Sequence, residues 1–140
     1  MKFLSYFAAL FLTASTLSAQ KINLKKNVIY VDEVAAFSFD KKAMGNELFV
    51  YKLNTKEELV NMIVDNNKTE SNVDDSKKMI FANQNTTIQS KNFRSQSWEF
   101  LISLLLQEKV FDLKGELNLE NLKRFWAKYD QNNVNHTMMR

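Results

Sequence analysis

The sequence predicts an α+β protein, in which an N-terminal antiparallel β meander of about five or six short strands packs against a C-terminal pair of helices, after a cleavable signal peptide. Three observations predict this class. A basic start followed by an apolar run opens the chain, and residues 21–90 form short alternating runs of β-branched and aromatic residues. Near residue 95 the apolar spacing changes to that of helices.

The first nineteen residues have the layout of a secretory signal peptide. Met1 and Lys2 form a basic start, residues 3–12 are apolar, and small and polar residues lead to Ala19. The apolar run is shorter than the about 20 residues that a membrane-spanning helix needs. We therefore expect cleavage after Ala19 and no stable transmembrane span in the mature chain. Cleavage one residue earlier, an uncleaved N-terminal anchor and a buried core helix are the alternatives.

Residues 20–140 are expected to form a single α+β domain, since domains cluster near this length. The alternating runs that predict strands cover residues 22–24, 28–31, 34–39, 48–53, 79–82 and 86–90. A tight hairpin is predicted at Asp32 and Glu33, although these residues lack the glycine that type I′ turns favour.

Residues 55–65 allow two interpretations. Thr55 and Glu58 match a capping box at the start of a helix, whereas the apolar residues from Val60 to Val64 alternate as in a strand. The run is short and rich in β-branched residues, so a strand is favoured.

Two helices are predicted after the sheet, with Ser95 and Asn118 as their N-caps and a break at residues 112–115. The first is apolar nearly all the way round, and we expect it to be buried against the sheet. The polar residues 66–78 predict a mobile loop, and residues 131–140 a frayed tail. The predicted apolar faces are Trp98, Leu101, Ile102 and Leu105 in the first helix, and Leu119, Leu122, Phe125, Trp126 and Tyr129 in the second.

The composition excludes several kinds of functional site. The chain has no cysteine, so disulfides and Cys-ligated metals are excluded, and two glycines cannot build a phosphate-binding loop. His136 is the single histidine and lies in the predicted tail, where it is a poor candidate for a base or a ligand. The break between the helices lacks the oxygen ligands that an EF-hand loop needs, because Val110 and Asn121 occupy its first and last positions. The sequence predicts no catalytic, cofactor-binding or metal-binding residue, and no cofactor.

Charged clusters are interpreted as solvated surface. The adjacent acids at 57–58 and 74–75 do not place two carboxyl groups on opposite sides of a substrate bond, because neighbours in a strand point to opposite faces. The lysine doublets at 25–26, 41–42 and 77–78 are interpreted as protection of strand edges. With a net charge of only +3, the chain is not expected to bind nucleic acid.

The aromatic residues Phe37, Phe39, Phe49 and Tyr51 allow two interpretations. Together they could form a platform on which a sugar or a base stacks. Aromatic residues in strands more often belong to the core, which is the interpretation favoured here. Trp98 and Trp126 are likewise expected at the interface between the sheet and the helices.

The Leu-Ser-Ala-Gln ending of the leader at residues 17–20, together with the frequent Asn and Lys, resembles the export signals of small secreted proteins of unknown function from Gram-negative bacteria. The resemblance implies a secreted or periplasmic location and an architecture of short strands followed by a helix pair. It implies no activity.

By elimination, the sequence predicts an exported, non-catalytic protein that binds a partner or supports the cell envelope, with an envelope protein as the candidate partner. Two alternatives stay open. A periplasmic carboxylate-dependent hydrolase predicts two acidic residues in one cleft with raised pKa values. A carrier of a small apolar or sugar ligand predicts a cavity between the sheet and the helices.

Overall fold

In the part of the chain that the structure describes, seven antiparallel strands form one sheet in which each strand pairs with the next one along the chain. The computed structural model describes residues 20–66 and 75–132, so the predicted signal peptide lies outside the described residues. The predicted α+β meander is confirmed, with seven strands rather than five or six. The strands are β1 (Ile22–Lys25), β2 (Val28–Val31), β3 (Val34–Lys42), β4 (Glu47–Lys52), β5 (Glu58–Asp65), β6 (Ser76–Phe81) and β7 (Thr86–Ser90).

Two-residue turns join the first three strands. Asp32 and Glu33 have φ values of 50° and 72°, and Lys26 and Asn27 have 52° and 65°. Positive φ at both central residues defines the type I′ geometry, whose twist matches that of the flanking strands. The main chain of Asp32 donates to the Lys21 carbonyl oxygen at 2.8 Å, and its carboxylate accepts from the Lys21 N–H. These bonds hold the predicted turn at Asp32 and Glu33 without a glycine.

Within residues 55–65, Glu58–Asp65 form a strand, as the β-branched residues predicted. Asn61 to Asp65 of β5 pair with β6, which begins at Ser76. The prediction of a loop over 66–78 is therefore wrong at its end, because Ser76 to Lys78 belong to β6. Pairing with neighbours on both sides overrides the polar local sequence. Residues 67–74 lie outside the described residues.

Two helices follow the sheet, α1 (Trp98–Gln107) and α2 (Leu119–Tyr129). Asn118 is the N-cap of α2 as predicted, with its side-chain oxygen accepting from the Asn121 N–H at 3.0 Å. The prediction of Ser95 as the N-cap of α1 is wrong. Ser97 is the N-cap, because its hydroxyl oxygen accepts a hydrogen bond from the Phe100 N–H at 3.1 Å.

One face of the sheet is buried against the helices, with α1 contacting β1 and α2 contacting β7. Side chains on this face alternate with outward-facing ones, which sets the register of each strand. The residues without accessible surface include Ile29, Phe37, Leu48, Val50, Val60, Met62, Met79, Phe81 and Ile88 from the sheet, and Leu101, Ile102, Leu105 and Phe125 from the helices.

Replacing Glu33 by glycine is expected to stabilise the protein by about 1 kcal/mol, because glycine has no steric penalty at φ +72°. Urea unfolding measures the change. The matched control is Lys25→Gly in β1, which is expected to destabilise by about 0.5 to 1 kcal/mol. Equal destabilisation by both changes would contradict the type I′ turn.

Leu105→Ala is expected to lower the free energy of unfolding by about 2 to 5 kcal/mol, because Leu105 has no accessible surface and its truncation leaves a cavity. Leu113→Ala is the control, at a leucine that is 48% exposed in the connection between the helices. It should change the free energy of unfolding by less than about 0.5 kcal/mol. Similar losses in the two variants would refute the burial of α1.

Candidate binding groove at the sheet edge

Strand β7 is an edge of the sheet, and the chain itself covers the C-terminal half of that edge. The Gln89 N–H donates to the Asp130 carboxylate at 2.9 Å, and the Gln131 N–H donates to the Gln89 carbonyl oxygen at 2.8 Å. The Lys91 N–H donates to the Gln131 side-chain oxygen at 2.8 Å. The segment after α2 therefore satisfies the outward backbone groups at 89 and 91, and residues 131 and 132 of the predicted frayed tail are held against β7.

Thr87 presents the next outward pair of backbone groups on this edge. In an antiparallel pair, successive residues alternate between bonding to the neighbouring strand and facing away from it. Because Gln89 faces away from β6, Thr87 does so as well, while Ile88 between them bonds to β6. Within residues 20–66 and 75–132, the Thr87 N–H and C=O have no hydrogen-bond partner across the edge. One donor and one acceptor are thus open at this point.

A groove of about 340 Å³ lies between this part of β7 and α2. This volume is within the range of known ligand pockets. The groove is apolar on its helical side, where Leu119 is 59% exposed and Leu122 is buried. Lys123 is the one charged side chain that the described residues place on its walls. The lining residues are Gln84, Asn85, Thr86 and Thr87 from the sheet side, and Leu119, Leu122, Lys123 and Trp126 from α2.

The position of α2 beside the groove is fixed by contacts at both of its ends. Before the helix, the Asn118 N–H donates to the Val110 carbonyl oxygen at 2.8 Å. Near its end, the Tyr129 ring lies 4.6 Å from that of Phe125 and 5.7 Å from that of Phe93. Phe125 and Phe93 are buried, so these contacts join α2 to the core. The groove is a preformed feature of the fold.

The predicted interface tryptophans have different environments. Trp98 is buried, and its indole N–H donates to the Gly45 carbonyl oxygen at 3.0 Å. Trp126 is only half-buried and forms part of the groove wall. Leu119 was predicted on the same apolar face and is largely exposed. The sequence identified these apolar residues, but helical spacing alone could not tell which of them remain open to solvent.

The four aromatic residues that could form a stacking platform are divided between the two faces of the sheet. Phe37 and Phe39 are in the core, as favoured. Phe49 and Tyr51 lie half-buried on the opposite face, where their rings stack with centroids 6.4 Å apart. The alternation of β4 buries Leu48 and Val50 instead, so Phe49 and Tyr51 do not belong to the core.

Charged side chains surround this aromatic pair. The Lys42 ammonium lies 5.0 Å from the centre of the Phe49 ring, and the Lys56 ammonium lies 5.4 Å from that of Tyr51. Burial raises the pKa of the Tyr51 hydroxyl, and the neighbouring Asp40 carboxylate raises it further. Tyr51 therefore stays protonated to a higher pH than an ordinary tyrosine.

The adjacent acids do not form a carboxylate pair among the described residues. Glu57 forms an ion pair with Lys52 at 3.3 Å, Glu58 lies in β5, and Asp74 is outside the described part of the chain. The pKa of Asp112 is lowered, chiefly because its carboxylate accepts a hydrogen bond from the Glu116 N–H. A general acid needs a shift in the opposite direction.

The lysine doublet at 77–78 does not protect an edge, because β6 lies inside the sheet. Lys78 forms an ion pair with Asp65 at 3.3 Å. The Lys77 ammonium lies 4.9 Å from the centre of the Trp98 ring, and burial lowers its pKa. The interpretation as edge protection is therefore wrong for this doublet, because Lys77 and Lys78 lie in a strand that pairs on both sides.

Comparison of the chain with protein-family models, curated proteins and solved structures found no match. Among residues 20–66 and 75–132, neither helix is long and apolar enough to cross a membrane. The same residues contain no cluster of three or more His, Asp or Glu side chains arranged to hold a metal ion. His136 lies outside the described residues.

Asp130→Ala is expected to lower the free energy of unfolding by about 1 to 3 kcal/mol, because it leaves the Gln89 N–H without its acceptor at a buried position. Hydrogen exchange of the Gln89 amide should become faster. Asp130→Asn is the matched control and should retain most of the protection, since its side chain keeps an acceptor oxygen. Unchanged exchange in the alanine variant would disprove that Asp130 covers this edge.

Proposed function

We propose that the protein is an exported, non-catalytic binding module that recognises a partner protein of the cell envelope through the groove between β7 and α2. The observation that carries the proposal is the groove itself. It combines an open backbone donor and acceptor at Thr87 with an exposed apolar side chain at Leu119. Polar groups and an apolar surface within one concavity are typical of recognition sites.

The N-terminal segment supports the exported location. Its basic start, apolar run and small residues before Ala19 are typical of a secretory leader. An exported protein meets envelope proteins as its neighbours, which is why an envelope protein is the proposed partner.

The distribution of buried residues favours surface recognition over the two alternatives. Side chains without accessible surface, among them Met62, Leu101 and Phe125, fill the interface between the sheet and the helices. A carrier would need space for its ligand there. For a hydrolase, the lowered pKa of Asp112 and the ion pair of Glu57 are unfavourable features.

Export is tested by the intact mass of the C-terminally tagged protein purified from its native host. The expected mass is that of a chain cleaved near Ala19, because a leader peptidase removes the segment before it. A full-length mass with cytoplasmic proteins alongside would contradict the proposed location.

The groove is tested by comparing two exposed leucines in the same purification. Leu119→Ser removes apolar surface from the groove and is expected to reduce the co-purifying envelope protein about tenfold. Leu113→Ser is the matched control, because Leu113 is 48% exposed and lies outside the groove lining. It should retain the envelope protein in stoichiometric amount. Equal retention by both variants would rule out the groove as the binding surface.

A further inference from the structure

We infer that the occupant of the groove is an extended segment of a partner protein, which adds to β7 as an eighth strand and places an acidic side chain beside an apolar one. This inference deepens the proposed function and rests on it. It concerns the chemistry of the segment that is recognised, which follows from the backbone groups, the apolar wall and the charge of the groove.

The backbone geometry at Thr87 is complementary to a peptide. An extended chain offers a C=O and an N–H on the same side of one residue, which is the arrangement that an open N–H and C=O on an edge residue require. Addition of a strand to a sheet edge is a recurring mode of peptide recognition. A small organic ligand would need to reproduce the same donor and acceptor spacing.

The chain already bonds to this edge next to Thr87. Asp130 has the extended values φ −71° and ψ 119°, and its side-chain carboxylate accepts from the Gln89 N–H, while the main-chain N–H of Gln131 donates to the Gln89 carbonyl oxygen. Thr87 is two residues from Gln89 on the same edge. A partner segment at Thr87 would therefore bond to the outward residue next to the one that Asp130 and Gln131 cover.

The walls of the groove select the side chains of the segment. Successive side chains of a strand point to opposite faces, so one of them would meet the apolar wall made by Leu119, Leu122 and Trp126. The side chain two positions along the segment points to the same side, towards α2, where Lys123 lies. Since Lys123 supplies the charge of the groove lining, charge complementarity favours a carboxylate there.

The test is selection from a random heptapeptide library displayed on phage, panned against the purified full-length mature chain. The expected result is enrichment of sequences with Asp or Glu two positions from a large apolar residue, and loss of that enrichment on the Leu119→Ser variant. Enriched sequences without an acidic residue would overturn the acidic part of the inference. Equal enrichment on Leu119→Ser and on the parent chain would overturn the groove, and the proposed function with it.

Strand addition is tested separately with Thr87→Pro and the most enriched peptide, by fluorescence polarisation. Proline removes the outward N–H of Thr87, and no bond to β6 is lost because Thr87 faces away from that strand. The affinity is expected to fall about three- to tenfold, the effect of one lost hydrogen bond. Thr87→Val is the matched control, because it keeps the N–H and should keep the affinity.

Two further results are informative. If Thr87→Pro binds like the parent while Leu119→Ser does not, strand addition is wrong and the groove remains the binding surface. If Thr87→Pro does not fold, Lys123→Glu replaces it, at an exposed position on α2. This variant should prefer peptides in which a lysine replaces the acidic residue, and an unchanged preference for acidic peptides would overturn the inference.

Discussion

The structure depends on burying one face of the β meander against two helices. A seven-stranded sheet in chain order has two faces and two edges, and in a chain without cysteine its stability must come from packing. The inner face is closed by α1 and α2, whose leucines and Phe125 meet the alternating apolar residues of the strands. Once this face is buried, the register of every strand is fixed, because a slip of one residue would expose its apolar side chains.

The same arrangement determines which part of the sheet edge at β7 remains uncovered. Packing of α2 near β7 brings a helix alongside a sheet edge, and residues 130 and 131 cover only part of that edge. The groove at Thr87 is the part of the edge that this segment leaves uncovered. Proteins usually protect such edges from pairing with other chains. Here the chain itself covers the C-terminal half of the β7 edge, while exposed apolar surface borders the N-terminal half. This contrast within one strand makes the groove the strongest candidate for recognition.

Some features of the candidate site were visible in the sequence, and others were not. Asn118 was predictable as a cap and Trp126 as part of an apolar face, because both signals are local. No sequence signal indicated that the Thr87 N–H and C=O would be unbonded. This depends on which residues of β7 face away from β6, and on the position of Asp130 some forty residues later. Ser76 is a second example. It is polar, yet it lies buried in β6 because it pairs with Asp65 of β5.

By itself, the sequence determined the α+β class, the order of strands and helices, the presence of a strand within residues 55–65 and the tight turn at Asp32, because periodicity and turn chemistry act over a few residues. Tertiary structure decided which aromatic residues are buried, so that Phe37 lies in the core and Phe49 on the outer face. It also decided which edge is covered and where the groove lies. These properties depend on pairing and packing between residues far apart in the chain, and local sequence patterns do not report such contacts.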